Sequence, residues 1–189
     1  NTTGSNNIAV GHAAGVGSSS SSRSFNINIG GYAGASNQTN SNINIGYFAG
    51  NTNSAGDRNT VIGYTAFRYN TYSVNTGLGY NAGNANTTGT QNTFIGSYAG
   101  RAATSGGYNT FVGTSSGYTF TTGNYNTSVG RESMYSLTTG SSNTALGRNA
   151  GQGNTTGDSN VAIGALSLLT SSTAGYRTAV GTSAGYFST

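Results

Sequence analysis

A glycine that follows an aliphatic residue recurs at an almost constant spacing along this chain of 189 residues. The spacing is seventeen from Gly79 onwards and varies between sixteen and nineteen before it, so the overall register is kept. These anchor glycines are Gly11, Gly30, Gly46, Gly63, Gly79, Gly96, Gly113, Gly130, Gly147, Gly164 and Gly181. Such regularity indicates stacked copies of one structural unit, which limits the fold to a repeat architecture.

Residue types at fixed offsets from the anchor glycine describe the unit. The residue directly before it is aliphatic in every copy, and the third residue after it is Ala or Ser. A second Gly stands ten residues after the anchor in most copies. The fourth residue before the anchor is Asn except in the last copy, which has Arg177. This asparagine column comprises Asn7, Asn26, Asn42, Asn59, Asn75, Asn92, Asn109, Asn126, Asn143 and Asn160.

The repeat is typical of β-structure rather than of helices. Seventeen residues are too few for two packed helices, and Gly, Asn and Thr are poor helix formers. The sequence therefore predicts an all-β parallel β-solenoid, a β-roll of about eleven coils with a period of about seventeen, as a single domain over residues 1–189. Coils spaced like paired strands, ~4.8 Å apart, would make a rod of roughly 50 Å. The chain begins in mid-repeat, and we expect a segment of a longer fibre or a filament subunit.

The columns also predict which side chains are buried. We expect the aliphatic residue before the anchor glycine and the Ala or Ser after it to point into the coil. We expect the asparagine column to form a ladder of stacked amides, because an isolated buried amide is costly.

Aromatic residues near the anchor glycine are expected to face outwards and to form an interface, since exposed apolar rows of this size mark contact surfaces. The alternative is that the rings fold over the turns and cover their own coil. The candidate interface residues are Tyr32, Tyr47, Phe48, Tyr64, Tyr80, Phe94, Tyr98 and Phe111.

Groups capable of acid–base or metal chemistry are few and scattered. The chain has one His, His12, three acids, Asp57, Glu132 and Asp158, and no Cys. Six coils separate Asp57 from Asp158, and seven separate His12 from Glu132. We therefore expect no catalytic, cofactor-binding or metal site and no enzymatic activity. The seven Arg are never adjacent, which disfavours a nucleic-acid partner. No apolar stretch approaches the ~20 residues of a membrane span.

The unit NTFIGSYAG at residues 92–100 resembles the head repeats of YadA-like trimeric autotransporter adhesins. It is also similar to repeats in phage tail fibres and in large bacterial surface proteins. The resemblance implies a left-handed parallel β-roll, three chains side by side, and a location on cell-surface or virion fibres. The period of seventeen departs from the shorter coil of that family, with the Thr-Thr-Gly corner as additional material.

The sequence thus predicts an extracellular or cell-surface structural protein. This rigid rod would assemble with itself, as a homotrimer or a head-to-tail filament, and mediate surface attachment. An alternative is an adhesin or phage-fibre receptor-binding segment whose aromatic rings stack on surface glycans.

A third hypothesis is ice binding, since a threonine column on a flat face can order water. In the predicted register the column faces inwards or towards a corner, which argues against this function. The column comprises Thr60, Thr76, Thr93, Thr110, Thr127 and Thr144.

Overall fold

A computed structural model describes residues 4–17, 23–170 and 173–186. These residues form eleven β-strands of three residues each and no helix. The strands are β1 (Ile8–Val10), β2 (Ile27–Ile29), β3 (Ile43–Ile45), β4 (Thr60–Ile62), β5 (Thr76–Leu78), β6 (Thr93–Ile95), β7 (Thr110–Val112), β8 (Thr127–Val129), β9 (Thr144–Leu146), β10 (Val161–Ile163) and β11 (Thr178–Val180). They stack in chain order as one parallel sheet, which confirms the predicted parallel β-solenoid.

Neighbouring strands pair residue for residue. In β6 and β7, Thr93 lies beside Thr110 and Phe94 beside Phe111. The register is the same where the coils differ in length. Ile27 pairs with both Ile8 and Ile43, although the segment between β1 and β2 is longer than the segment between β2 and β3. The insertions and deletions therefore lie outside the strands, and the strand residues stay in register from coil to coil.

The anchor glycine ends each strand where two coils touch. Gly96 has a φ of +128°, and a Cβ atom on it would lie 2.6 Å from the carbonyl oxygen of Gly113. A side chain is thus excluded both by the left-handed backbone and by the next coil. This double constraint explains why the position is Gly in every copy.

The middle residue of each strand, rather than the last, points into the coil. Phe94 is completely buried, whereas Leu78 and Leu146, which precede anchor glycines, are 45% and 49% exposed. The prediction that the aliphatic column faces inwards is therefore wrong. Side chains alternate along a strand, so burying the asparagine four residues before the glycine turns the residue directly before it outwards.

The small column after the anchor glycine does face inwards, as predicted. Its members are fully buried from the second coil to the tenth. They are Ala33, Ala49, Ala66, Ala82, Ala99, Ser116, Ser133, Ala150 and Ser167.

Aromatic rings fill the centre of the rod and are matched by glycines. Phe67, Phe94 and Phe111 stack in line with centroids 5.5 and 5.2 Å apart. A Cβ atom on Gly100 would lie 2.7 Å from the ring of Phe94, and one on Gly83 would lie 2.7 Å from the ring of Phe67. Positions that approach these rings this closely therefore have to be glycine, as expected of a close-packed interior.

Candidate functional site

The asparagine column forms a ladder that joins side chains to the backbone of the next coil. The N–H of Asn109 donates to Oδ1 of Asn92 over 3.0 Å, and the N–H of Asn126 donates to Oδ1 of Asn109 over 3.0 Å. This bond recurs at every step from Asn7 onwards and ends on the N–H of Arg177.

The amide nitrogens of the ladder are used as well. Nδ2 of Asn109 donates to the carbonyl oxygen of Gly123 over 3.0 Å and to Oδ1 of Asn92 over 3.1 Å. The amide-to-amide bond expected from the sequence occurs at five steps. Because both ends of these amides bond within the rod, the column stabilises the solenoid and offers no ligand site.

The first and third residues of β1–β11 point outwards, and we call this surface the strand face. Its third position is aliphatic in all eleven strands, and its first position is Thr, Ile or Val, so the face carries no charged side chain. Val10, Leu78, Leu146 and Val180 on it are 45–66% exposed. The threonine column also belongs to the strand face, in register from strand to strand. The prediction that this column faces inwards or towards a corner is therefore wrong.

The strand face is large for an exposed apolar surface. Ten steps of ~4.8 Å and a width of about 12 Å, including side chains, give roughly 600 Å². This is the upper end of the range of about 300–600 Å² for the largest apolar patch on a typical monomer, and such patches are often functional. The sequence pointed to the aromatic residues as the interface and missed this surface, although alternation from the buried asparagine would have revealed it.

A second surface, the aromatic row, runs along the turns that follow the strands. Each of its rings contacts the next, with centroids 4.4–6.0 Å apart. The row comprises His12, Tyr32, Tyr47, Phe48, Tyr64, Tyr80, Tyr98, Tyr118 and Tyr135.

The structure thus brings together six of the eight candidate interface residues. Phe94 and Phe111 are the exceptions, since both are fully buried in the core, and their placement on an outward interface is wrong. They occupy the middle of a strand, which faces inwards. Tyr118 and Tyr135 extend the row but stand five residues after their glycines, outside the offsets that the sequence singled out.

The tyrosines of the row stack on one another. Tyr47 and Tyr64 have centroids 5.6 Å apart with planes at 20°, and Tyr64 and Tyr80 are 5.4 Å apart with planes at 10°. Each of these three rings is 43–48% exposed. Their faces therefore point along the rod at each other, and their edges and hydroxyl groups meet the solvent.

The three acids lie apart from one another, and two of them pair with a neighbouring arginine. A hydrogen bond with Ser73, followed by the guanidinium of Arg58 3.3 Å away, lowers the pKa of Asp57. A bond from Arg131 at 2.8 Å, with a second from Asn149, lowers the pKa of Glu132.

Two further observations concern the part of the chain that the structure describes. It contains no group of three or more His, Cys, Asp or Glu placed to hold a metal ion. It also contains no helix long and apolar enough to cross a membrane.

Comparison of the chain with protein-family models, with curated proteins and with solved structures finds no match. The resemblance to YadA-like heads therefore stays a prediction.

Proposed function

We propose that this protein is a structural rod of extracellular fibres that assembles side by side with copies of itself through the strand face. One observation carries the proposal: an uncharged face of aliphatic and threonine side chains continues over all eleven strands. Two such faces in contact would bury about 1,200 Å² together, the lower limit of stable specific interfaces.

The energetics favour covering this face. Removing the apolar part of this roughly 600 Å² surface from water contributes at most about 15 kcal/mol per chain before costs are subtracted. Association costs about 4–15 kcal/mol in lost motion. The strand face is rigid, because each of its residues is held in a paired strand, so little further ordering is required.

Side-by-side packing is compatible with the homotrimer expected from the sequence, in which three strand faces would meet around one axis. Head-to-tail assembly would instead use the ends of the solenoid and would leave the strand face exposed. Negative-stain electron micrographs of the purified chain distinguish these arrangements. Rods thicker than a single solenoid support the proposal, and dispersed single solenoids contradict it.

Ice binding is the second candidate, since the outward threonine column removes the objection to it. Thr76, Thr93 and Thr110 stand in register on paired strands, beside a column of aliphatic side chains. Regular hydroxyl and methyl groups can order water into a lattice. Thermal hysteresis that Thr93→Lys abolishes would support this function, and freezing behaviour equal to that of an inert protein would exclude it.

Attachment to glycans through the aromatic row has weaker support. A sugar ring that stacks on tyrosine needs a free ring face, and the faces of Tyr64 are directed at Tyr47 and Tyr80. At Tyr64, glycan binding would have to use the hydroxyl edge of the ring. A glycan array on which the protein and its Tyr64→Phe variant bind no sugar would exclude this alternative.

A further inference from the structure

We propose that Tyr64 and Tyr80 form a modification site, at which oxidation joins their rings into dityrosine and so links two successive coils covalently. The proposal is independent of how the rods assemble. It rests on a pair of stacked, solvent-accessible phenols whose positions are fixed by the solenoid itself.

The backbone holds the two phenols in place. The N–H of Gly79 donates to the carbonyl oxygen of Ile62 over 2.9 Å, and the N–H of Asn81 donates to that of Tyr64 over 3.0 Å. These two bonds pair the backbone segment that carries Tyr64 with the segment that carries Tyr80. The rings consequently lie nearly parallel, with centroids 5.4 Å apart and planes at 10°.

Both rings are open to an oxidant in solution, since Tyr64 is 48% and Tyr80 is 45% exposed. The chain contains no Cys, so it cannot be linked by disulfides. Thirteen tyrosines are the oxidisable residues from which it could form covalent links. Stacking across coils brings selected pairs of them together without further folding.

The reaction needs a peroxidase and hydrogen peroxide as the oxidant. Each phenol loses one electron and one proton to give a tyrosyl radical, whose unpaired electron is shared with the ring carbons next to the hydroxyl-bearing carbon. Two such carbons form a carbon–carbon bond, and their ring hydrogens move to the oxygens to restore both phenols. The peroxide takes up the two electrons and two protons and becomes two waters.

Trypsin makes this link directly visible. Cleavage after Arg58, Arg68 and Arg101 leaves Tyr64 in the peptide 59–68 and Tyr80 in the peptide 69–101. Coupling would join these two peptides and remove the mass of two hydrogen atoms. Tyr72 provides the matched control, because it lies in the same second peptide and is 49% exposed, yet no ring of the described residues contacts it.

The experiment treats a dilute equal mixture of unlabelled and heavy-isotope-labelled chains with peroxidase and peroxide. Free tyrosine in a parallel reaction shows that the oxidant is active. We expect joined peptides that always carry one label, with the link at Tyr80, and their loss in Tyr80→Phe but not in Tyr72→Phe. Mixed-label peptides, a link that survives Tyr80→Phe, or oxidised tyrosines without any link would each overturn the proposal.

Discussion

The backbone N–H of Asn109 donates to Oδ1 of Asn92 across 3.0 Å, so a buried side chain joins two successive coils. The same bond recurs along the whole column, which makes the ladder a second set of inter-coil bonds beside the strands. A solenoid gains its stability from contacts between neighbouring repeats, and a defect at one step should weaken both of its neighbours.

Replacing a ladder asparagine should therefore be costly. Asn109→Ala leaves the N–H of Asn126 and the carbonyl of Gly123 without their partners, and each buried unpaired group costs about 1–3 kcal/mol. We expect the free energy of unfolding in urea to fall by about 2–6 kcal/mol. Asn84→Ala serves as the control, since it removes one half-buried bond to the carbonyl of Thr65 and should cost only about 1 kcal/mol. Equal losses in the two variants would refute the structural role of the ladder.

The contact between core rings and glycines predicts that Gly100→Ala destabilises the fold more than Gly151→Ala does. Gly100 and Gly151 both have a left-handed φ, +56° and +61°. A Cβ on Gly100 would lie 2.7 Å from the ring of Phe94, whereas one on Gly151 would meet nothing closer than 3.7 Å. Gly151→Ala should cost only the backbone strain of about 1–2 kcal/mol. Gly100→Ala should cost about 1–3 kcal/mol more through overpacking. Thermal unfolding of both variants measures this difference, and its absence would contradict the core described here.

A strained corner offers a stabilising substitution. Val74 is 42% exposed and adopts a φ of +63°, a conformation that is unfavourable for a β-branched residue and tolerated by Asn. We expect Val74→Asn to raise stability by about 1 kcal/mol, which for a chain of this size raises the melting temperature by about 2–4 °C. Val74→Ala removes the same apolar surface and should gain less. A gain from Ala as large as that from Asn would show that backbone conformation is not the cause.

From neutral pH downwards, the pH dependence of stability should be weak and confined to acid. The pKa values of Asp57 and Glu132 are lowered in the folded chain, so their stabilisation is complete above the ordinary carboxyl pKa and is lost as pH falls through the lowered values. Both pairs lie at the surface, where such pairs are worth about 0–1 kcal/mol each. We expect a constant melting temperature from neutral pH down to about 5 and a small decrease below about 4, reduced in the double variant Asp57→Asn, Glu132→Gln. A steep transition near neutral pH would disagree with these assignments.

The sequence was sufficient to predict the solenoid, because the columns repeat with few exceptions, and Gly marks one corner in every copy and a second corner in most. It also contained the information on which side chains face inwards. The asparagine and the aliphatic columns are three residues apart, so an alternating strand cannot bury both, and the aliphatic column is the one that turns outwards. The middle residue of the strand varies in size from Gly77 to Phe94. The residues that contact it vary in the opposite sense, which indicates an interior position.

The packing of side chains between coils could not be predicted, because it depends on residues of two different repeats. Phe67 occupies the space beside Gly77 in the next coil, and the parallel stacking of Tyr64 on Tyr80 depends on how two turns pack. The repeat predicts that these residues are near each other. It does not predict the angle between the rings, which decides whether their faces are free for a ligand.

The most direct test of the central claim is the mass of the assembly in solution, measured by sedimentation equilibrium of the full chain. One variant carries Lys at three exposed or half-buried positions of the strand face: Leu78→Lys, Ile95→Lys and Val112→Lys. A control carries the same charges at exposed corner positions: Thr88→Lys, Ser105→Lys and Thr122→Lys. Circular dichroism establishes that each variant is folded, and Ile95→Lys alone replaces the triple variant if that one unfolds.

We predict that the unaltered chain and the corner variant assemble while the strand-face variant is a folded monomer. A monomeric unaltered chain, or a strand-face variant that assembles equally well, would contradict the proposed function.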